Sequence, residues 1–542
     1  MSGLADQTAG KPRRQADVIA KHCWPLLFEL VGFHCQALIH SLFAAIVFSC
    51  LLQAYLTMLS GMKGVGMNGV INKVKPAHLG SSLLVLTAVA IMLVRPFSAS
   101  LSGVAQVMLG GVLITLSIWI FKPFGLSYAV GGLFLGGFAL AVGLKPAVVF
   151  SGFTQSAIWT LVPALFFGFT LQETGLGRRI AMAVIRLFKP SYFSLVTAWV
   201  LIGVALSVLT PSITVRMAIV IPIAVQCLEL CQLGAGSKGG SLILLTAFAM
   251  ALVPGSGWLT GSLWGPILSG MFNAVSATEG LVTFDSWLVV MFAPTMIATA
   301  LLIAGSLIFL RPEEALSENA IDSIREQPKE PVTRHEVVTG FILLIVFGMF
   351  STSRWHGIPD AAVCLAAVFL FFLTGVLAPG DFSTGINWEL VFFIAMALGL
   401  GPIFNETGIA QWMATIVVPA LAPVAVSPWL FVYAVLVFMF LWRFFDVAMF
   451  IPTIAIMVPI LPAIQAAYHV SPLVWLAVFV MAANCFFMAY QNMWAMMSRS
   501  IAGQRAWDSR YLGVYGTLYF AACLIAMLVA IPIWINAGLF GS

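Results

Sequence analysis

Residues 207–223, SVLTPSITVRMAIVIPI, decide the fold, because they place polar groups inside a hydrophobic block of about 193–225. The polar or helix-breaking residues are Pro211, Ser212, Thr214 and Arg216. A charge at bilayer depth is costly unless it faces a cavity or a partner, so Arg216 is a candidate functional residue. The Thr-Pro-Ser break, followed by Pro222, predicts two short helices that meet at a polar tip inside the protein. The alternative is a kinked spanning helix whose Arg216 snorkels to the nearer interface.

The composition supports a membrane setting for this stretch. Of 542 residues, 61% are hydrophobic and only 8% are charged, whereas about a quarter are charged in soluble domains. A mean hydropathy of +1.04 indicates a polytopic helical membrane protein and excludes a water-soluble one. The basic residues are scattered through short loops, so no nucleic acid partner is expected.

Hydropathy and charge divide the chain into two halves. The pattern predicts an all-α polytopic membrane protein with about 11 core spans and an extra N-terminal hydrophobic region. The predicted segments are a cytoplasmic tail (1–22), an extra hydrophobic or interfacial region (23–78), a first core span (79–101), a first half (102–310) with a re-entrant hairpin (about 193–225) and an interrupted helix (about 240–272), a cytoplasmic linker (311–336), and a second half (337–542) with a hairpin (about 428–467) and an interrupted helix (about 472–497).

The two halves repeat one another with opposite orientation. LQETGLGRRIAMAVI at 171–185 matches FNETGIAQWMATIVV at 404–418. Basic loop residues concentrate on the side of the first copy, which predicts that this side and the N-terminus are cytoplasmic. Glu173 and Glu406, at equivalent helix ends, are interpreted as structural. Interrupted segments at corresponding positions of two inverted halves indicate a transporter with its site near the midplane.

Several of these motifs carry a resemblance to a known family. They are GFTQSAIWTLVPALFFG, the two ETG stretches, INWELVFFIAMALGLG at 386–401 and WHGIPDAAV at 355–363. Through them, residues from about 79 to 540 resemble the divalent anion:sodium symporter (DASS) family of the ion-transporter superfamily, which includes sodium:sulfate and dicarboxylate symporters. The resemblance implies secondary transport of di- or tricarboxylates or sulfate by a homodimer, with an elevator-type movement of a transport domain against a scaffold.

The family's substrate motifs are only partly kept. Its Ser-Asn-Thr triplet, ten residues before Pro-Ile, corresponds to Ser212-Ile213-Thr214 in the first half and to Met449-Phe450-Ile451 in the second. Its Gly-rich break corresponds to Gly255, Gly257, Gly261 and Ser262, and its second-half break to 489–492. An anion is held by hydroxyls, amides, helix N-termini and fixed positive charge, whereas sodium needs a cage of oxygen atoms.

These considerations give two sets of candidate residues. The predicted substrate-binding residues are Ser212, Ile213, Thr214, Arg216, Arg443, Gln491 and Asn492. The predicted cation-binding residues are Ser212, Gly255, Ser256, Gly257, Thr260, Ser262, Asp446 and Asn492. No catalytic residue, cofactor or metal is expected apart from Na⁺ or H⁺ as the coupling ion.

Two arginines make the coupling ion an open question. Arg216 and Arg443 supply fixed positive charge where asparagines are lost, and a guanidinium can replace a bound cation opposite an anion. Asp446, three residues from Arg443 on the same predicted helical face, either neutralises Arg443 or couples transport to protons. Cation-coupled symport is the leading hypothesis, and sodium-independent exchange or proton symport is the alternative.

Other functional classes fit less well. A membrane-embedded enzyme would need an intramembrane nucleophile, metal motif or paired carboxylates, and none is found in the sequence. A channel or a structural membrane protein does not explain inverted halves with broken segments. The sequence therefore predicts an integral membrane transporter, in a bacterial inner membrane, whose partners are a small anionic substrate, membrane lipid and a second copy of the chain.

Overall fold

A computed structural model describes residues 76–188, 191–312, 316, 331–446 and 449–541. The tail 1–22, nearly all of the region 23–78 and most of the linker 311–336 therefore lie outside the described residues. Every named element in the described part is helical. Nine of its helices are long and apolar enough to cross a membrane, and several shorter apolar helices accompany them. The predicted all-α polytopic fold is confirmed.

The first core span and the first half together contain ten main helices, joined in places by short helical turns. They are α1 (Pro76–Val94), α2 (Gly103–Phe121), α3 (Tyr128–Ala141), α4 (Ser156–Glu173), α5 (Leu176–Ile185), α6 (Tyr192–Leu209), α7 (Ile213–Leu230), α8 (Lys238–Leu252), α9 (Trp264–Asn273) and α10 (Phe284–Phe309).

The second half contains nine helices in a corresponding order. They are α11 (Arg334–Ser351), α12 (Asp360–Leu373), α13 (Trp388–Thr407), α14 (Ile409–Leu421), α15 (Pro428–Trp442), α16 (Ile451–Tyr468), α17 (Pro472–Ala483), α18 (Met493–Ala502) and α19 (Ser509–Asn536). The pairs α6–α7 and α15–α16 occupy the predicted hairpins, and α8–α9 and α17–α18 occupy the predicted interrupted helices.

The break between α6 and α7 is set by local hydrogen bonding. The Ser212 side chain caps α7 by accepting from the amide of Val215, and the Thr210 hydroxyl accepts from the amide of Ser212 at 3.1 Å. Because Pro211 lacks an N–H, it cannot continue the ladder of α6. Pro222, in contrast, lies inside α7 and does not break it. The break therefore lies at the Thr-Pro-Ser segment and not at Pro222.

The helices pack into two groups that meet at these breaks. In one group α8 is central: all residues of Gly239–Leu252 are buried, and α6, α7 and α19 pack against it. In the other group α3 packs against α2 and α13, and α4 packs against α12. The groups touch where α4 contacts α7 and α9, and where α13 contacts α16. The helices that begin after these breaks, α7, α9 and α16, are thus the ones through which the two groups touch.

An ion pair fixes the start of the second half to the first. Glu336, in the first turn of α11, accepts from Nε of Arg179 at 2.7 Å and from its Nη2 at 3.0 Å. The same Nη2 also donates to the main-chain oxygen of Pro331 at 3.0 Å. Glu336 caps its own helix through the amide of Thr333. Thus the end of the linker is held against α5.

Candidate functional site

Arg216 lies in the first turn of α7 and is completely buried. Its Nη1 donates a hydrogen bond at 2.7 Å to the main-chain oxygen of Gly261, in the break between α8 and α9. The alternative of a side chain that snorkels to the interface is therefore wrong. Arg216 joins the break of the first hairpin to the break of the first interrupted helix.

Two glycines make room for this guanidinium. A Cβ atom on Gly255 would lie 2.2 Å from the oxygen of Gly261 and 2.5 Å from Nη1 of Arg216. A Cβ atom on Gly261 would lie 2.2 Å from the oxygen of Gly255. Both separations are far below contact distance. The two backbone segments of this break can therefore approach each other only because both residues are glycine.

Several buried polar atoms of Arg216 and of the residues that flank Gly261 lack a hydrogen-bond partner in the described part of the chain. Within the described residues, Nε and Nη2 of Arg216 and the hydroxyls of Thr260 and Ser262 have no hydrogen-bond partner. Buried donors are rarely left unpaired, because each costs about 1–3 kcal/mol. Two unpaired guanidinium donors, with two hydroxyls on the residues that flank the hydrogen-bonded Gly261, suit a carboxylate or another oxyanion.

Asn484 connects this region to the interrupted helix of the second half. Its Nδ2 donates to Oγ of Ser256 at 2.9 Å, and its Oδ1 accepts from the indole of Trp264 at 3.1 Å. The main-chain oxygen of Ser256 accepts from Trp287 at 3.0 Å. Asn484 was not among the predicted site residues. Its signal is a lone amide at the end of the apolar run PLVWLAVFVMAAN.

The start of α18 contacts the first hairpin directly. Asn492 caps α18 by accepting from the amides of Trp494 and Ala495, and its Nδ2 donates to the oxygen of Cys485. The Trp494 indole donates to the hydroxyl of Thr214 at 3.2 Å. Asn492 therefore holds the break, while Thr214, which is exposed, is the more accessible of the two.

Arg443 occupies the break of the second hairpin and is also buried. Its Nη1 donates to the main-chain oxygen of Asp446 and its Nη2 to the main-chain oxygen of Gln491. The guanidinium carbon lies 5.5 Å from the centre of the Phe450 ring. Arg443 thus joins the second hairpin to the second interrupted helix.

The predicted helical relationship between Arg443 and Asp446 is wrong. Helix α15 ends at Trp442, and residues 443–445 form a turn. Asp446 nonetheless stays beside the guanidinium, with which it interacts electrostatically. Its carboxylate also accepts from the hydroxyl of Thr453, which in turn accepts from the indole of Trp442 at 2.9 Å. The buried carboxylate is therefore held from two sides.

The two arginines do not occupy equivalent positions of the internal repeat, because Ser212-Ile213-Thr214 corresponds to Met449-Phe450-Ile451 and Arg216 therefore corresponds to Thr453. Arg216 follows the break of its hairpin and Arg443 lies at the start of the break of its own, but each donates to a main-chain oxygen in the interrupted helix of its own half, Gly261 or Gln491. Their surroundings differ, because Arg443 has an acidic neighbour and a second carbonyl. No carboxylate among the described residues contacts Arg216.

The remaining predicted residues are placed as follows. Ile213 is fully buried and Gly257 lies in the buried turn Pro254–Gly257. Oε1 of Gln491 accepts from the amide of Met488 at 2.8 Å, and its Nε2 has no partner within the described part of the chain. The structure therefore brings the four breaks into one connected network, with Ile213 contributing packing only.

A cleft reaches this network from one side. A cavity of about 190 Å³ is lined by polar residues of α4, α9 and α12 and by the break residue Thr260. The polar side chains are Ser156, Thr160, Thr260, Ser269, Asn273 and Asp360. A smaller adjoining cavity shares Thr160 and Thr260 and touches Pro211 at the hairpin tip. The cleft therefore leads to the break that holds Arg216.

Comparison with known proteins identifies the family. The family described as "Sodium:sulfate symporter transmembrane region" matches residues 77–537, which is most of the chain. The chain belongs to this family. The predicted resemblance to the divalent anion:sodium symporters is thereby confirmed. The members of this family and the relatives of this chain are transporters and not enzymes. The apolar helices make this chain an integral membrane protein.

Curated relatives are distant and are only partly covered. "Dicarboxylate transporter 1, chloroplastic" from Arabidopsis thaliana is 24% identical over 58% of this chain and 57% of its own length. The "L-tartrate/succinate antiporter" of Escherichia coli (strain K12) is 26% identical over 54% of this chain and 61% of its own. The chain thus spans about three fifths of each. A solved structure, the Alcanivorax borkumensis YdaH transporter, has a TM-score of 0.48, with 15% identity and coverage of 72% and 87% of the two chains.

Proposed function

We propose that this protein is a secondary transporter of small divalent organic anions, such as C4 dicarboxylates, and that it works without sodium. The observation that carries the proposal is the buried guanidinium of Arg216. Its Nε and Nη2 donate to no described residue, and no acidic residue among the described ones interacts with it. Such a group attracts an oxyanion. The names of the relatives, a dicarboxylate transporter and a tartrate/succinate antiporter, support a dicarboxylate over sulfate.

The position of Arg216 argues against a nearby sodium ion. Its Nη1 donates a hydrogen bond to the main-chain oxygen of Gly261. This carbonyl belongs to the break that was predicted to supply oxygen ligands for sodium. At a separation of about 6–8 Å and an effective dielectric near 20, guanidinium and sodium repel by about 2–3 kcal/mol. That repulsion lowers sodium affinity by about one to two decades.

The second half supports the same conclusion. Phe450 and Ile213 stand at the two asparagine positions of the family triplet, and neither side chain can coordinate an ion. Arg443 holds the oxygens of Asp446 and Gln491, which are then less available to a cation. Built-in guanidinium groups therefore take the place of coupling ions in both halves.

Proton coupling through Asp446 is the second candidate. This carboxylate is 2% exposed, lies in the break between α15 and α16, and accepts a hydrogen bond from Thr453 of α16, the helix that packs against α13. If Asp446 takes up a proton during transport, an inward proton gradient accelerates uptake and the Asp446→Asn variant does not respond to the gradient.

We further propose an elevator-type movement in a homodimer of a bacterial inner membrane, with the N-terminus in the cytoplasm. The two packing groups and the breaks at their boundary support the movement, in which the group around α8 carries the substrate past the group around α4. The distribution of basic loop residues supports the orientation.

Uptake of radiolabelled succinate into proteoliposomes tests the proposal. We expect equal uptake when choline replaces sodium, competition by other dicarboxylates, and strong loss in the Arg216→Ala variant. A steep, saturable sodium dependence would overturn sodium independence and restore symport. A wild-type protein that takes up no dicarboxylate, tricarboxylate or sulfate under any gradient would overturn the transport assignment.

A further inference from the structure

The cleft that leads to Arg216 is negatively charged at Asp360. Within the described part of the chain, the residues that line its two adjoining cavities include this one acidic side chain and no lysine, arginine or histidine. The other polar lining groups are uncharged, namely the hydroxyls of Ser156, Thr160, Thr260 and Ser269 and the amide of Asn273. An anion that enters this cleft therefore passes a carboxylate on its way to the guanidinium.

The charge of Asp360 is left uncompensated by the described residues around it. Among them, its carboxylate has no hydrogen bond or ion pair, and His356 is the one titratable group that interacts with it. Nδ1 of His356 accepts from the amide of Ile358 at 2.9 Å, and its Nε2 donates to the main-chain oxygen of Met349 at 2.8 Å. A ring nitrogen that accepts carries no proton, so His356 is neutral in this arrangement.

The position of Asp360 in the fold is fixed. It is the first residue of α12, a helix that packs against α4, and the cleft lies between these two helices and α9. The positive end of a helix dipole favours the ionised form of a carboxylate in the first turn. Asp360 is therefore a fixed negative charge at the boundary between the two helix groups.

This charge acts differently on anions of different charge. A ligand charge within about 7 Å, the width of a cavity of about 190 Å³, at an effective dielectric of about 40 for a partly open cleft, changes its affinity about five- to tenfold. Each further negative charge on the ligand meets the same repulsion again. Asp360 therefore disfavours a trianion relative to a dianion by about that factor, in addition to the attraction that Arg216 exerts on both.

We propose that Asp360 is a specificity-determining residue, which makes the cleft select dianions over trianions of the same shape. The inference rests on the proposed transport of divalent organic anions and adds how anions of higher charge are rejected. The Asp360→Asn substitution keeps the size of the side chain and removes its charge. We expect this variant to accept tricarboxylates that the wild-type protein binds poorly.

Two inhibitors that differ in charge but hardly in shape test the inference. Tricarballylate carries three carboxylates, and its central monoamide has an uncharged amide in place of the middle one. Both are titrated against labelled succinate uptake into proteoliposomes at about pH 8, where carboxylates are ionised. We expect the ratio of the two inhibition constants, trianion over dianion, to fall about five- to tenfold in Asp360→Asn. An unchanged ratio would overturn the inference and leave the transport assignment standing. Absence of succinate uptake by the wild-type protein would instead overturn the proposed function.

Control variants separate the charge of Asp360 from its structural role. Asp360→Glu keeps the charge and should keep the wild-type ratio. Asp285→Asn removes an exposed acid from the first turn of α10, where it lines neither cavity, and should leave the ratio unchanged. An equal fall of the ratio in Asp285→Asn and Asp360→Asn would contradict the inference, because it would indicate a general effect of surface charge.

The wild-type protein supplies a measurement that does not depend on the folding of any variant. Raising the salt concentration from about 0.01 M to about 0.5 M shortens the screening length below the width of the cleft. The ratio of the two inhibition constants should therefore fall in the wild-type protein and stay constant in Asp360→Asn. A wild-type ratio that does not respond to salt would overturn the inference.

Discussion

The Trp494 indole donates to the Thr214 hydroxyl at 3.2 Å, which joins the first hairpin to the second interrupted helix. The two residues are 280 positions apart and belong to opposite halves of the repeat. Since α7 and α18 also pack along their length, the hairpin tip and the α18 start form one unit. A substitution at either Trp494 or Thr214 therefore affects both the hairpin tip and the start of α18.

Replacing Trp494 with Phe should weaken transport without unfolding the protein. Phenylalanine keeps most of the buried ring but loses the donor, which costs about 0.5–1.5 kcal/mol. We expect the KM for succinate to rise about three- to tenfold by the conversion of that energy to affinity. Thr214→Val should raise the KM for succinate to a similar extent, and the KM of the double variant should not exceed that of either single variant. Trp159→Phe, at an indole bonded to the oxygen of Phe153, is the control. Additive losses would contradict a shared hydrogen bond.

Gly255→Ala should damage the site that holds Arg216. The added methyl group would lie 2.2 Å from the Gly261 oxygen and 2.5 Å from Nη1 of Arg216. Because one obstacle is main chain, relief requires the break to open, at a cost of about 1–3 kcal/mol or more. The unfolding temperature in detergent should fall, and transport should be lost. Gly137→Ala, with nothing within 4 Å of its added atom, should behave as wild type. A fully active Gly255→Ala protein would contradict the tight packing of this break.

Arg443 and Asp446 should show strong coupling in a double-mutant cycle. Removing one partner of a buried charged pair leaves the other uncompensated, at about 3–5 kcal/mol. Arg443→Met and Asp446→Asn should each lower thermal stability more than the combination of both. The measurement is the unfolding midpoint of all four proteins in one detergent. If the double variant loses the sum of the two single effects, the residues act independently.

Asn484→Leu should separate the two interrupted helices. The substitution leaves Oγ of Ser256 and Nε1 of Trp264 without their present partner, and each buried group costs about 1–3 kcal/mol. We expect a lower unfolding temperature and a loss of transport. Asn405→Leu, at an exposed position of α13, provides the control. Wild-type transport in Asn484→Leu would show that this link is dispensable.

Hydropathy alone predicted most of the helices, because membrane spans are read from long apolar runs. The first core span, the interrupted helices and the break at Pro211 all follow from local sequence. Pro222 does not break α7, since a proline inside a helix can be accommodated when neighbouring residues keep the backbone helical.

The candidate site was harder to predict, since it depends on contacts between distant residues. The type and position of Arg216 identified it, but only the fold shows that it points at Gly261 rather than to an interface. The end of α15 at Trp442 removed the helical argument for Arg443 and Asp446, although tertiary packing kept them together. Asn484 was missed because a single amide in an apolar run has no partner in the sequence nearby.

The ion pair between Arg179 and Glu336 has a consequence for how the two halves can be made. The end of the linker is fastened to α5 through Glu336 and Pro331, and the halves also hold each other through Ser256–Asn484 and Thr214–Trp494. Covalent continuity across the linker is then unnecessary for assembly. Two polypeptides, ending and beginning within 311–336 and produced in the same cell, should associate into a working carrier, and charge reversal at Arg179 should weaken that complementation more than it weakens the intact chain.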